Sequence, residues 1–275
     1  MSTMAGADTL RLTLLPGARE LLALHDRELP QRDDLCGAFC GSLALGAAGV
    51  AARDGQPLDQ DAVALAAGSV IAGAHGSLPR GETGRRDYRL AIPVIDDPAV
   101  SGSTAAGVRD AIEELSAGRL AALPCAGPWS GATLDELFGL LAGYEQPVTL
   151  IANLATHHLW GSRPSVSQLL SYLYDGSQDG PGPDWRVGHF VVVVGRVLGP
   201  AGSLYAIADT YPALGDRGVH LQPRGRLADA LERRDMPEGG MLVVVCEQDS
   251  ERTRAAIGAL GLREAVWDNG TVARA

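Results

Sequence analysis

Apolar positions change their rhythm along the chain, and the change divides it near residue 147. In the first part, the run from Leu35 to Ala52, LCGAFCGSLALGAAGVAA, is 18 residues long and carries no charge. Its length alone suits a membrane span, but its four glycines and many alanines make it only mildly apolar, and no second such run follows. It predicts a helix buried on all sides in a large core, with Gly37 and Gly41 placed for close approach of other backbone. LDQDAVALAAGSVIAGAH (58–75) reads as an Ala-rich helix capped by Asp59 or Asp61 and ended by Gly76 and Pro79. A charged loop, RGETGRRDYR, and an extended stretch, LAIPVI, lead to further helices predicted over 103–118 and 132–144.

After residue 147 the apolar residues become β-branched and are punctuated by Gly, Pro or charge, which predicts strands over 148–154, 189–198, 203–209 and 241–247. The short GPAG connection makes 189–198 and 203–209 an antiparallel hairpin. Helices are expected over 164–176, in GRLADALERRD and over 250–261, and the Gly/Pro loop 177–185 is placed to overhang a cleft. A helical first half followed by a sheet-rich second half is an α+β arrangement.

Composition narrows the chemistry. The 275 residues contain 23 basic and 33 acidic side chains, and every basic one is Arg, since Lys is absent. A Schiff-base lysine and a phosphate-loop lysine are therefore excluded, and a net charge of -10 repels a nucleic-acid backbone. The N-terminal stretch MSTMAGADTLRLTLLPGARE has neither a basic start nor a long apolar segment, so no signal peptide is read there. Four scattered cysteines, Cys36, Cys40, Cys125 and Cys246, do not form a disulfide framework, and a cytoplasmic protein is expected, with no membrane partner.

Cys36 stands where the polar segment PQRDD hands over to the long apolar helix. Free N–H groups and the positive end of the helix dipole stabilise a thiolate at that position. Cys40, one turn later, reads as a structural cysteine inside the helix. His189 opens the hairpin and Asp209 closes it, and because an antiparallel hairpin brings its open ends together, the two form a candidate base and its orienting carboxylate. Gln31, in the loop before Cys36, can donate its amide to an oxyanion beside the Cys backbone N–H.

The order Gln31, Cys36-Gly37-Ala38-Phe39-Cys40, His189-Phe190-Val191-Val192-Val193 with Gly195, and Asp209 shortly before Pro212 resembles the papain-like cysteine peptidases. The similarity is greatest to their bacterial branch that cleaves double-glycine leader peptides during bacteriocin export. The resemblance covers about 29–50 and 186–247, and departs from that branch at Leu35, where it carries Asp. It implies a papain-like two-lobe fold over 1–275: a mainly helical lobe (1–147) with a helical insertion at about 50–147, a β-rich lobe (148–247), and a C-terminal helix and tail (248–275). It also implies Cys36 as nucleophile, His189 as general base, Asp209 as its orienter and Gln31 as oxyanion donor. No cofactor or metal is expected, the oligomeric state is left open, and the ligand is a peptide or other acyl or amide compound, free or carrier-bound.

Other constellations carry less. His157 and His158 are adjacent, so on a strand they point to opposite faces and do not chelate one metal. Ser130 in GPWSG lacks the spacing of a nucleophile elbow, and the carboxylates of RDAIEEL (109–115) read as a solvated face. The expected activity is amide or peptide hydrolysis through an acyl-enzyme. Transfer of that acyl group to an amine is the alternative, and a non-catalytic binding protein of the same fold is a third.

Overall fold

The computed structural model describes residues 9–272. In chain order its elements are β1 (Arg11–Leu14), α1 (Ala18–Glu28), α2 (Cys36–Ala47), the short strands β2 (Ala52–Arg53) and β3 (Gln56–Pro57), α3 (Gln60–Ala66), β4 (Ile71–Ala72) and β5 (Val94–Ile95). Next come α4 (Ala105–Leu115), β6 (Leu120–Ala126), α5 (Gly131–Leu141), β7 (Thr149–Ala155), α6 (Val166–Asp175), β8 (Gly188–Leu198) and β9 (Ser203–Ala208). The last are β10 (Val219–Pro223), α7 (Arg224–Glu232), β11 (Gly240–Cys246), α8 (Ser250–Ala259) and β12 (Arg263–Glu264). The fold is mixed α/β around one large antiparallel sheet, ordered β10-β9-β8-β7-β11-β6-β12, with β1 also paired to β8.

The uncharged run from Leu35 folds as α2, whose residues are buried on nearly every side. It packs on β7 and β8, with α1, α3 and α4 around it, as its lack of a polar face requires. Gly49, with φ +74°, ends the turn after it. Among the described residues no helix is long and apolar enough to cross a membrane. Gly37 and Gly41 do mark close packing, but side chains rather than backbone fill the space: a Cβ on Gly37 would lie 2.9 Å from Val108 and 3.2 Å from Phe190, and one on Gly41 would lie 2.9 Å from Val63.

Two expectations about the first half are corrected. The helix predicted over 58–75 stops at Ala66. Asp59 caps it by accepting from the Ala62 N–H, whereas Asp61 is spent on a salt bridge to Arg32 at 3.1 Å. Gly68 then turns the chain with φ +63°, and Ile71–Ala72 pairs in parallel with Val94–Ile95. The segment 50–147, expected as a helical insertion, is not purely helical either, because LAALPCA forms β6, a strand of the main sheet between β11 and β12. Its proline conceals it in sequence and is accommodated for a simple reason. The N–H groups of Leu120 and Ala122 turn away from β11, to Ser116 Oγ and Glu113 Oε1. By period-two alternation Pro124 faces the same edge, where no strand needs its missing donor. Glu113 is accordingly a strand-edge partner and not part of a solvated face.

The hairpin forms as expected, with β8 and β9 antiparallel from Leu198↔Ser203 to Val192↔Ala208. A register shift between Val193 and Gly195 interrupts the pairing, and Gly195 lets β1 approach, since a Cβ there would lie 2.7 Å from Leu14. Asp135 of α5 pins the closed end, accepting from Ser203 Oγ at 2.6 Å and Tyr205 OH at 2.9 Å and pairing with Arg196 at 3.2 Å. The open end is thereby aimed at the N-terminus of α2. Helices α5 to α8 form as the apolar periodicity predicts, within two residues at most ends, and Ser130 is the N-cap of α5. Residues 1–8 of the stretch read for a targeting signal, and 273–275 of the tail, lie outside the described residues.

Candidate active site

A cleft of about 710 Å³ opens where α2 meets the hairpin, and Gln31, Cys36, His189, Trp185, Tyr211 and Arg233 are among the residues lining it. Cys36 is the first residue of α2 and is half-buried. The chain turns into the helix through Asp34, which takes a left-handed φ of 64°, and the N-cap residue Leu35 contributes no side-chain acceptor. Among the described residues no side chain caps the first turn of α2. Cys40 is wholly buried, and burial pushes its thiol well above the ordinary range.

The sequence-predicted residues converge. His189 Nε2 lies 3.0 Å from Asp209 Oδ1, with both side chains almost fully buried. Cys36 lines the same cleft and adds to the upward push on the His189 ring. Burial opposes charge on His189, but the Asp209 carboxylate outweighs it and, with Cys36, pushes the ring up to about 10. Burial likewise opposes charge on Asp209, yet His189 and His220 hold its carboxyl well below the usual range. The outcome is a buried imidazolium–carboxylate pair beside a sulfur.

Several contributors were not read from the sequence. Asp209 Oδ1 also accepts from the Thr210 N–H at 2.7 Å, and Oδ2 lies 3.3 Å from His220 Nε2. His25 Nε2 lies 2.5 Å from the Asp209 carbonyl oxygen, and burial lowers that ring below its ordinary value, which suits a neutral donor. Trp185 and Tyr211 flank His189, with ring centroids 5.1 and 6.2 Å away, and screen the ion pair from water. Of the loop 177–185, Trp185 is the part that reaches the cleft, tied by its indole N–H to Ser77 Oγ at 2.9 Å.

Gln31 is buried, with its Oε1 accepting from Thr210 Oγ1 and its Nε2 donating to the Arg32 carbonyl at 3.2 Å. Its second amide hydrogen has no acceptor among the described residues. Thr210 Oγ1 in turn lies 3.2 Å from His189 Nε2, so Gln31 is wired to the histidine as well as to the cleft.

A second histidine–carboxylate contact lies on the cleft wall. His75 Nδ1 is 2.5 Å from Asp33 Oδ2, while Asp33 Oδ1 accepts from the Arg85 N–H at 2.8 Å. The expectation for His157 and His158 is overturned. The chain leaves β7 for a 3-10 turn at Thr156–His158, so strand alternation no longer separates the rings, and their Nε2 atoms lie 2.8 and 3.0 Å from Asp235. The donor atoms of all three lie within 4.8 Å of one another, but Arg186 also sits 2.8 Å from Asp235. That guanidinium supplies the positive charge a metal ion would bring.

A model of a protein family whose function is unknown matches residues 15–268. No curated protein matches the sequence.

Proposed function

The chain belongs to that family, DUF6885, and we propose that it is a cysteine-dependent amide hydrolase of papain-like two-lobe architecture, acting on a peptide or related amide in the cytoplasm. The observation that carries this reading is the line of Cys36, the buried His189 and the buried Asp209 opening onto one cleft.

In this mechanism the His189 imidazolium already holds the thiol proton, and Cys36 Sγ attacks the scissile carbonyl carbon as the thiolate. The carbonyl oxygen gains the electron pair and is met by the Cys36 N–H and the free amide hydrogen of Gln31. When the tetrahedral adduct collapses, the C–N bond breaks and His189 returns the proton to the departing amine, leaving a thioester on Cys36. A water then attacks the thioester, its proton passing to the now neutral His189, and the C–S bond breaks to release the acid and restore the thiolate–imidazolium pair. Asp209 fixes the ring orientation throughout, held itself by Thr210, His220 and His25. Trp185 and Tyr211 keep bulk water from the ion pair.

The test is to trap the acyl-enzyme. Incubation with a p-nitrophenyl ester should give a burst of nitrophenol and one acyl group on the Cys36 peptide, removable by hydroxylamine, with the burst lost in His189→Ala. Acylation of another residue, or of none, would refute the mechanism.

A further inference from the structure

Arg233 is the cleft residue that the mechanism above leaves unused, and its surroundings are built for it. It follows α7 in a left-handed conformation, φ 45°, which side chains other than glycine rarely adopt. Two glycines make room for the side chain: a Cβ on Gly188 would lie 2.7 Å from Arg233 Nη2, and one on Gly239 would lie 2.5 Å from its Cδ. Asn153 of β7 aims it, since Asn153 Oδ1 accepts from Arg233 Nη1 at 2.6 Å while also accepting from the Trp267 indole at 3.0 Å.

Among the described residues the guanidinium thus assembled has no carboxylate partner. Arg233 is only 3% exposed, its Nε is buried without an acceptor, and it forms no ion pair among the described residues. Burial lowers it to about 10 against the opposing charge of Cys36, and Arg233 and Cys36 line the same cleft. The amide nitrogen of Asn153 also has no acceptor among the described residues, and both side chains line the cleft. A buried cation without a carboxylate partner is costly to the free protein, and that cost is relieved when a ligand brings one. Asp33 and Asp34 line the cleft from the segment leading into α2 and repel an anion there, which leaves the Arg233 end as its place.

We propose that Arg233 and Asn153 form a carboxylate-binding subsite beside Cys36, so that the substrate is an amide bearing a free carboxylate close to its scissile bond. This rests on the thiol reading above and specifies its substrate class.

The experiment compares alkylation of Cys36 by iodoacetate and by its neutral isostere iodoacetamide, in each of which sulfur displaces iodide from the same carbon. Towards an unassisted thiolate iodoacetamide is the faster reagent. In the wild-type protein iodoacetate is expected to be at least as fast, to saturate with concentration and to be slowed by added acetate. Arg233→Gln should lower the iodoacetate rate about tenfold or more, as expected for one charged hydrogen bond, and leave the iodoacetamide rate nearly unchanged. Should that variant fail to fold, saturation and acetate protection in the wild type still decide. Rapid alkylation by iodoacetamide with slower, non-saturating iodoacetate would overturn the subsite and leave the thiol reading intact. An equal slowing of both reagents in Arg233→Gln would overturn it too, assigning the cation to the sulfur instead. Slow alkylation of Cys36 by both reagents in the wild type would defeat the underlying thiol mechanism, and the subsite with it.

Discussion

Two histidine–aspartate pairs face the same cleft, and the shorter of the two contacts is not the one assigned to chemistry. His75 lies 2.5 Å from Asp33 and His189 lies 3.0 Å from Asp209. The difference is in what surrounds them. The His75 side chain is 53% exposed and that of His189 is 2% exposed, so water screens the first pair and is kept from the second. Both carboxylates accept a backbone N–H, from Thr210 and from Arg85, but His189 also has Cys36 among the groups that raise it. Contact distance alone therefore does not select the pair for the proposed chemistry; enclosure and a neighbouring cysteine do.

The comparison is sharpest if each pair is broken in turn. Turnover should fall roughly 10²–10⁴-fold in His189→Ala, the range for loss of a general base. It should change less than about fivefold in His75→Ala, since a half-exposed histidine is screened by water and contributes little. Asp209→Asn removes the charge that holds the ring in place, and should lower kcat about tenfold or more while the chain stays folded. Thermal or denaturant unfolding of the cysteine variants extends the contrast to α2: Cys40→Ser should cost about 1–3 kcal/mol by burying a hydroxyl among apolar side chains. Cys36→Ser, at the cleft, should unfold like the wild type while losing turnover.

A smaller effect concerns pH. The folded pKa of His189 is raised to about 10, so its contribution to stability is complete below the ordinary histidine value of about 6.5 and declines as pH rises towards 10. Asp209 is depressed, so its contribution is complete above about 4 and is lost in acid. Unfolding free energies of wild type and His189→Gln, measured across pH, should therefore converge as pH approaches 10. A gap that widened with alkalinity would mean that His189 is neutral in the folded protein.

Cys36, His189 and Asp209 were legible because each stands at the boundary of a strongly patterned element: the first turn of an uncharged helix, and the two open ends of a β-branched hairpin. The rest of the site was not, because tertiary packing alone brings it together. His25 in α1, His220 in β10 and Thr210 each reach Asp209 from a separate part of the chain, and none carries a local signal of its role. Arg233 sat in ERRD, indistinguishable from a solvated helix end; the glycines at 188 and 239 that make its slot were the only trace. In the fold, β6 escaped because Ala and Pro weaken the strand pattern, while the short β12 pairs only with Cys125 and Ala126 and leaves Pro124 without a strand on that side. The reading of His157 and His158 failed because it extended strand geometry one turn too far.

The most direct test is to measure iodoacetamide labelling of all four cysteines at neutral pH by peptide mapping, in wild type, His189→Ala and His75→Ala. Cys36 should label far faster than Cys40, Cys125 and Cys246, slow to their level in His189→Ala, and keep its rate in His75→Ala. Uniformly slow labelling in the wild type, or a Cys36 rate indifferent to His189, would contradict the account.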